Sequence, residues 1–227
     1  MPQDRLMQIR HNIHEVERRI ARAAEKSGRS PGDITIIAVT KTIEPRLIQE
    51  AFQAGMRHFG ESRIQEASDK IGQLSALQPP PTWHMVGHLQ TNKAGLAVEL
   101  FQFIQSLDSI KLAEVISHRA QRDMPILLQV NVSGEASKFG FSPDQVSSAA
   151  QVIAHLPHLQ IEGLMTIAPL ATNPEEVRPF FRQLRLLRDS LGLEHLSMGM
   201  TDDFEVAVEE GATMVRIGRA IFGEREE

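Results

Sequence analysis

The sequence predicts a single α/β domain, a (β/α)8 barrel of the TIM type spanning residues 1–227. Three observations lead there. Apolar, β-branched runs of strand length alternate with segments of helical periodicity. About eight such runs occur, and no linker or low-complexity stretch divides them. The length of 227 residues also suits a barrel, a fold whose usual range begins near ~200 residues.

The elements follow in order. Asp4 to about Lys26 carries Leu6, Ile9, Ile13, Val16 and Ile20 at steps of three and four, one helical stripe that Ser27-Gly28 ends. Ile34–Thr40 is a nearly unbroken apolar run, as in a parallel strand buried on both faces. Pro45–Ala54 reads as a helix closed by Gly55, Arg57–Gly60 as a short strand, and Arg63–Leu77 as a helix. After the Pro79-Pro80-Pro81 loop come a strand at Thr82–Val86, a helix at Asn92–Leu100 and a strand at Phe101–Leu107. Ser109–Arg122 is helical, and Ile126–Val132 is the plainest strand after the first. The remainder alternates likewise: helix Pro143–His155, strand Ile161–Ile167, helix Glu175–Leu191, strand His195–Met198, helix Asp202–Glu210, strand Met214–Ile217. Right-handed crossovers around eight strands close a barrel. The extra first helix would cover a barrel end or fill the outer ring. An open doubly wound sheet is the competing topology, but no strand leads into a G-x-G-x-x-G turn.

Composition excludes several function classes. With 41% hydrophobic and 23% charged residues, neither a disordered nor a membrane chain is indicated. A net charge of −5 gives no bulk attraction to nucleic acid. The absence of cysteine rules out disulfides, thiolate metal sites and a cysteine nucleophile. The charged, amphipathic N-terminus lacks the apolar core of a signal peptide, and no run approaches the ~18 apolar residues of a membrane span. A cytoplasmic location is expected.

Barrel sites lie at the C-terminal ends of the strands. The polar residues there are Lys41, Glu61-Ser62, His84, Asn131 with Ser133, Thr166, Ser197 with Thr201, and Arg216. Lys41 ends the most buried strand. Desolvation there lowers a lysine's pKa and frees its amine for a Schiff base, although position alone would also suit a solvated lysine at a loop start. The segments Ser197-Met198-Gly199-Met200-Thr201 and Arg216-Ile217-Gly218-Arg219 are two strand-to-helix turns side by side. Helix starts with small residues and hydroxyls favour a phosphate, and the position after strands 7 and 8 is where barrels hold one. His84 and His88 straddle a strand end and a loop, not one helix face, so no metal site is expected.

These residues resemble the pyridoxal phosphate homeostasis family (YggS/PROSC), whose fold is like the N-terminal barrel domain of alanine racemase. The stretches that carry the resemblance are IIAVTKT (Ile36–Thr42), FGESRIQEA (Phe59–Ala67), WHMVGHLQTNK (Trp83–Lys93), LLQVNVSGEASKFG (Leu127–Gly140), GLMTIAP (Gly163–Pro169) and SMGMTDDFEVAVEEGATMVRIGRAIFG (Ser197–Gly223). The resemblance implies that Lys41 is the Schiff-base lysine for pyridoxal 5′-phosphate (PLP). It implies a phosphate site at Ser197, Gly199 and Thr201 with the backbone of Gly218 and Arg219. Arg216 would face the pyridine nitrogen, and His84, Met165 and Asn131 would line the ring pocket. Gly60-Glu61-Ser62 stands where many members have Gly-Glu-Asn, so Ser62 would lose a cofactor contact or leave room for a water.

The function so implied is reversible holding of PLP within the cell, influencing amino-acid and keto-acid pools, with PLP-dependent apoenzymes as recipients, a monomeric state and no turnover. The alternative is a PLP-dependent, racemase-like enzyme. Such enzymes oppose the lysine with a tyrosine and add a second, β-rich domain; this sequence has no tyrosine and is expected to lack that domain.

Overall fold

A computed structural model describes residues 2–224, and side-chain burial from Arg5 onward. Eight parallel strands form a closed barrel in chain order: β1 (Thr35–Val39), β2 (His58–Glu61), β3 (Thr82–Met85), β4 (Phe103–Leu107), β5 (Met124–Gln129), β6 (Leu159–Met165), β7 (His195–Ser197) and β8 (Met214–Ile217). Pairing of Ile37 with Arg216 and Ala38 with Ile217 joins the last strand to the first, so no sheet edge remains. The barrel is thereby established over the open sheet.

The helices are α1 (Pro2–Lys26), α2 (Pro45–Gln53), α3 (Ile64–Gln73), α4 (Ala94–Leu100), α5 (Ile110–Arg119), α6 (Val146–Ile153), α7 (Arg178–Ser190), α8 (Phe204–Glu209) and α9 (Arg219–Phe222). Short 3-10 turns precede α4 and α7. The first helix belongs to the outer ring: the apolar stripe of α1 packs against α8, α9 and α2. The Asn12 side chain donates to the Ile221 carbonyl at 2.9 Å, and Arg19 pairs with Glu205 at 2.7 Å. After the last strand comes only the four-residue α9. It is too short to cover that barrel wall, and α1 covers it instead.

Several boundaries depart from expectation, those of β5 and β6 among them. β5 starts at Met124 and stops at Gln129, not Val132, because the chain then turns into a loop that returns at Phe141. That loop is closed by the Asn131 N–H donating to the Phe141 carbonyl at 2.9 Å. β6 pairs with β5 from Leu159 and ends at Met165.

The larger core lies between sheet and helices, where Phe59, Phe101, Phe181 and Phe204 are fully buried. A smaller cluster of Ile37, Phe103, Leu127, Met165 and Met214 plugs the barrel interior. Among the described residues, no helix is long and apolar enough to cross a membrane.

Candidate functional site

The C-terminal mouth of the barrel holds a cavity of about 320 Å³. It is bordered by Val39, Lys41, Val86, Gly87, Ile167, Leu170, Met200, Thr201, Asp202, Arg216, Gly218 and Arg219. Lys41 directly follows the buried Thr40 at the end of β1 and is half-buried. Thr201 lies in the turn between β7 and α8, and its Oγ1 accepts the Ala220 N–H of α9 at 3.4 Å, tying the two phosphate-type turns together. Arg219 opens α9 and pairs with Asp202 across the mouth, and with Glu224 at 3.4 Å. The border therefore carries three cationic side chains, Lys41, Arg216 and Arg219, against the single carboxylate of Asp202.

Arg216 is almost wholly buried. Its Nη1 donates to Ser197 Oγ at 2.6 Å and its Nη2 to the Thr166 carbonyl at 2.7 Å. Burial pushes its pKa down to about 10, opposed by Asp203, so it stays charged at neutral pH.

Beneath Arg216 a chain of hydrogen bonds runs through the barrel. Ser197 Oγ donates to Gln105 Oε1 at 2.7 Å, Gln105 Nε2 lies 3.0 Å from His84 Nδ1, and His84 Nε2 lies 3.0 Å from His58 Nδ1. With the Gln105 amide oriented this way, arginine and the amide nitrogen as donors set the protons along the chain. His84 must accept at Nδ1 and carry its proton on Nε2. It is stacked on Phe103, and burial, with His58 beside it, pushes its pKa down to about 3.

Of the residues expected from the sequence, Lys41, Thr201, Arg216, Gly218 and Arg219 meet at this cavity. The other six do not border it. Ser197 needs a correction: its hydroxyl proton goes to Gln105, leaving none for a phosphate, and the side chain is fully buried as the anchor of Arg216. Gly199 is needed for close packing. Its φ is +92°, and a Cβ would come within 2.5 Å of Ala207 Cβ and 2.9 Å of Phe204 Cα. His84 and Met165 lie inside the barrel, both buried. Asn131 organises its own loop, donating to the Glu135 carbonyl at 2.9 Å and accepting from the Gly134 N–H at 3.1 Å. Ser62 stands behind Gly87, which touches its backbone. The helix starts also fall short of expectation: α8 begins at Phe204, not Asp202, and α9 has four residues, so the cup rests on turn N–H groups with little macrodipole behind them.

Sequence reasoning missed Gln105 and Lys70. Gln105 had a usable signal, a large polar residue beside Ser106 inside the fully buried strand Phe103–Leu107. Lys70 had none, since it sits among charged and polar residues of a helix. Among the described residues, no cluster of histidine, aspartate and glutamate suits a metal.

The family described as alanine racemase, N-terminal domain, matches residues 5–226. The pyridoxal phosphate homeostasis protein of Pseudomonas aeruginosa is 44% identical over 223 residues, covering 96% of each chain. That of Aquifex aeolicus is 42% identical over 222 residues, covering 94% of this chain and 96% of the relative. This chain belongs to the pyridoxal phosphate homeostasis protein family. PipY of Synechococcus elongatus, solved with PLP bound, is 37% identical with a TM-score of 0.83, covering 95% of this chain and all of that one. The alanine racemase of Corynebacterium glutamicum shares the fold alone: 16% identity and a TM-score of 0.70 over 98% of this chain and 62% of the enzyme's.

Proposed function

We propose that this chain binds PLP reversibly at the barrel mouth, with the Lys41 amine as the covalent attachment point, and serves intracellular PLP homeostasis without turning over a substrate. Recipients would be PLP-dependent apoenzymes, the site of action the cytoplasm, and the working unit a monomer.

The observation that carries this reading is the charge balance of the cavity, three cations against one carboxylate with an amine among them. PLP supplies an aldehyde that condenses with an amine and a phosphate of roughly −1.5 to −2 charge, as for other phosphomonoesters near pH 7. The donor set fits that group. Thr201 and the turn at Gly218–Arg219 would hold the phosphate, with Arg219 turning from Asp202 to share in it. Arg216, oriented by Ser197 and the Thr166 carbonyl, would meet the ring nitrogen as a fixed donor. Val39, Val86 and Ile167 give the ring apolar walls. PipY, a relative with 37% identity solved with PLP bound, supports PLP as the ligand.

The test is direct. Purified protein incubated with PLP is expected to gain a visible absorption band that borohydride abolishes, with the reduced adduct on Lys41 by mass spectrometry. An adduct on Lys93 or Lys138 instead, or no adduct, overturns the reading.

A further inference from the structure

We infer that Glu66 and Lys70 of α3 form a clamp that positions Lys41 for covalent capture of an aldehyde, a role that rests on the PLP reading above. The residues on both sides of Lys41 are held by this one pair. On the N-terminal side, Lys70 Nζ donates to the Thr40 carbonyl at 2.5 Å. On the C-terminal side, the Thr42 N–H donates to Glu66 Oε1 at 2.5 Å. Glu66 and Lys70 lie one helical turn apart and are themselves paired at 2.5 Å. Lys70 is also anchored from below by the fully buried Glu61 at 2.9 Å, and Glu61 Oε1 accepts the Thr40 hydroxyl at 2.6 Å.

The clamp is matched to a strained turn. Thr42 has φ +64°, a left-handed conformation that β-branched residues avoid and that persists only where surrounding bonds enforce it. The Ile43 N–H donates to the Thr40 carbonyl at 3.0 Å, so the backbone reverses tightly around Lys41. Glu66 is the acceptor that holds the Thr42 amide, and an extended Thr42 would swing the Lys41 backbone out of register with the cavity. Neither Glu66 nor Lys70 borders the cavity, so both act through the position of Lys41.

Glu66 is the residue to change, because it is partly exposed and its removal strands no deeply buried charge, whereas Lys70→Met would strand Glu61. The probes are PLP, which uses the Lys41 amine, and pyridoxine 5′-phosphate, which has the same ring and phosphate but no aldehyde. Glu66→Ala is expected to weaken PLP binding about tenfold while changing pyridoxine 5′-phosphate binding less than twofold. Glu66→Gln, which keeps the acceptor oxygen, should recover most of the loss. Thr42→Gly, which adopts the left-handed conformation freely, should reduce the effect of Glu66→Ala when the two are combined. Equal loss of both ligands in Glu66→Ala would mean general damage to the pocket and overturn the clamp, as would unchanged PLP binding. Failure of the underlying reading is a separate result: the unaltered protein would then form no borohydride-trapped adduct on Lys41.

Discussion

Arg216 is oriented by Ser197 and the Thr166 carbonyl, and with the Gln105 amide placed as it is, the donor-only arginine sets the direction of the protons down to His84. The consequence is a histidine that does not titrate in the ordinary range. Protonating His84 would place an N–H against the Gln105 amide N–H, in addition to the burial that already pushes its pKa down to about 3. Histidine NMR should therefore show the His84 ring neutral through pH 5. In Gln105→Glu a carboxylate would face Nδ1, and the His84 pKa should rise by about 1–3 units, as for other close opposite charges. Titration of His84 near 6.5 in the unaltered protein would refute the chain. The sign of its contribution to stability follows. A histidine with a depressed folded pKa favours the folded state fully above its unfolded value of about 6.5, and this is lost progressively as pH falls toward 3. At this scale the sequence was only partly legible. Lys41 and Arg216 were legible because they lie at strand ends, and Thr201 because it lies in a strand-to-helix turn. Ser197 was misread because strand alternation turns its hydroxyl inward, and a one-residue change of phase moves a side chain between cavity, interior and outer face.

At the scale of elements, the turn from β7 into α8 shows why backbone geometry outranks residue type. Gly199 was legible as a tight turn, yet its neighbours, not a ligand, demand the missing side chain. Left-handed backbone and the approach of Ala207 and Phe204 both exclude a Cβ. Gly199→Ala is expected to destabilise the protein by roughly 2–4 kcal/mol, combining overpacking with backbone strain. Urea denaturation with an unchanged slope and a lower midpoint would measure it. A loss below about 0.5 kcal/mol, the size of an ordinary surface substitution, would contradict the packing. Strand and helix alternation was readable because periods of 2 and 3.6 leave different apolar patterns. The end of β5 was not, because Val130 and Val132 remain apolar and buried after the strand has become a loop. What ends the strand is the Asn131 side chain, whose amide bonds that loop at Glu135 and Gly134. Only the folded loop reveals that use of an asparagine.

For the whole molecule, eight alternating units made a barrel the economical solution, since closure removes both edges of a parallel sheet. The place of α1 in the ring needed the structure, because its stripe would fit a barrel end equally well. The same architecture bears on whether the chain performs chemistry. Racemisation removes the α-proton of an amino acid on one face and returns it on the other, so it needs two acid–base groups opposed across the cofactor. On the proposed reading Lys41 would serve one face of the bound cofactor. Opposite it the sequence offers no tyrosine, and the titratable groups bordering the cavity are Asp202, Arg216 and Arg219. Asp202 is paired with Arg219. Arg216 remains charged, since its pKa of about 10 lies well above neutrality, and it can only donate; on the proposed reading such a donor would face the PLP ring nitrogen, keep it unprotonated and weaken the ring as an electron sink. His84 lies in the barrel interior with both nitrogens engaged. Exchange of the alanine α-proton in deuterated water, followed by NMR with protein and PLP together, is therefore expected to stay near the rate with free PLP alone. A rate at least a hundredfold higher that disappears in both Lys41→Ala and Asp202→Asn would overturn this expectation, because it would identify Asp202 as the second base and the protein as an enzyme.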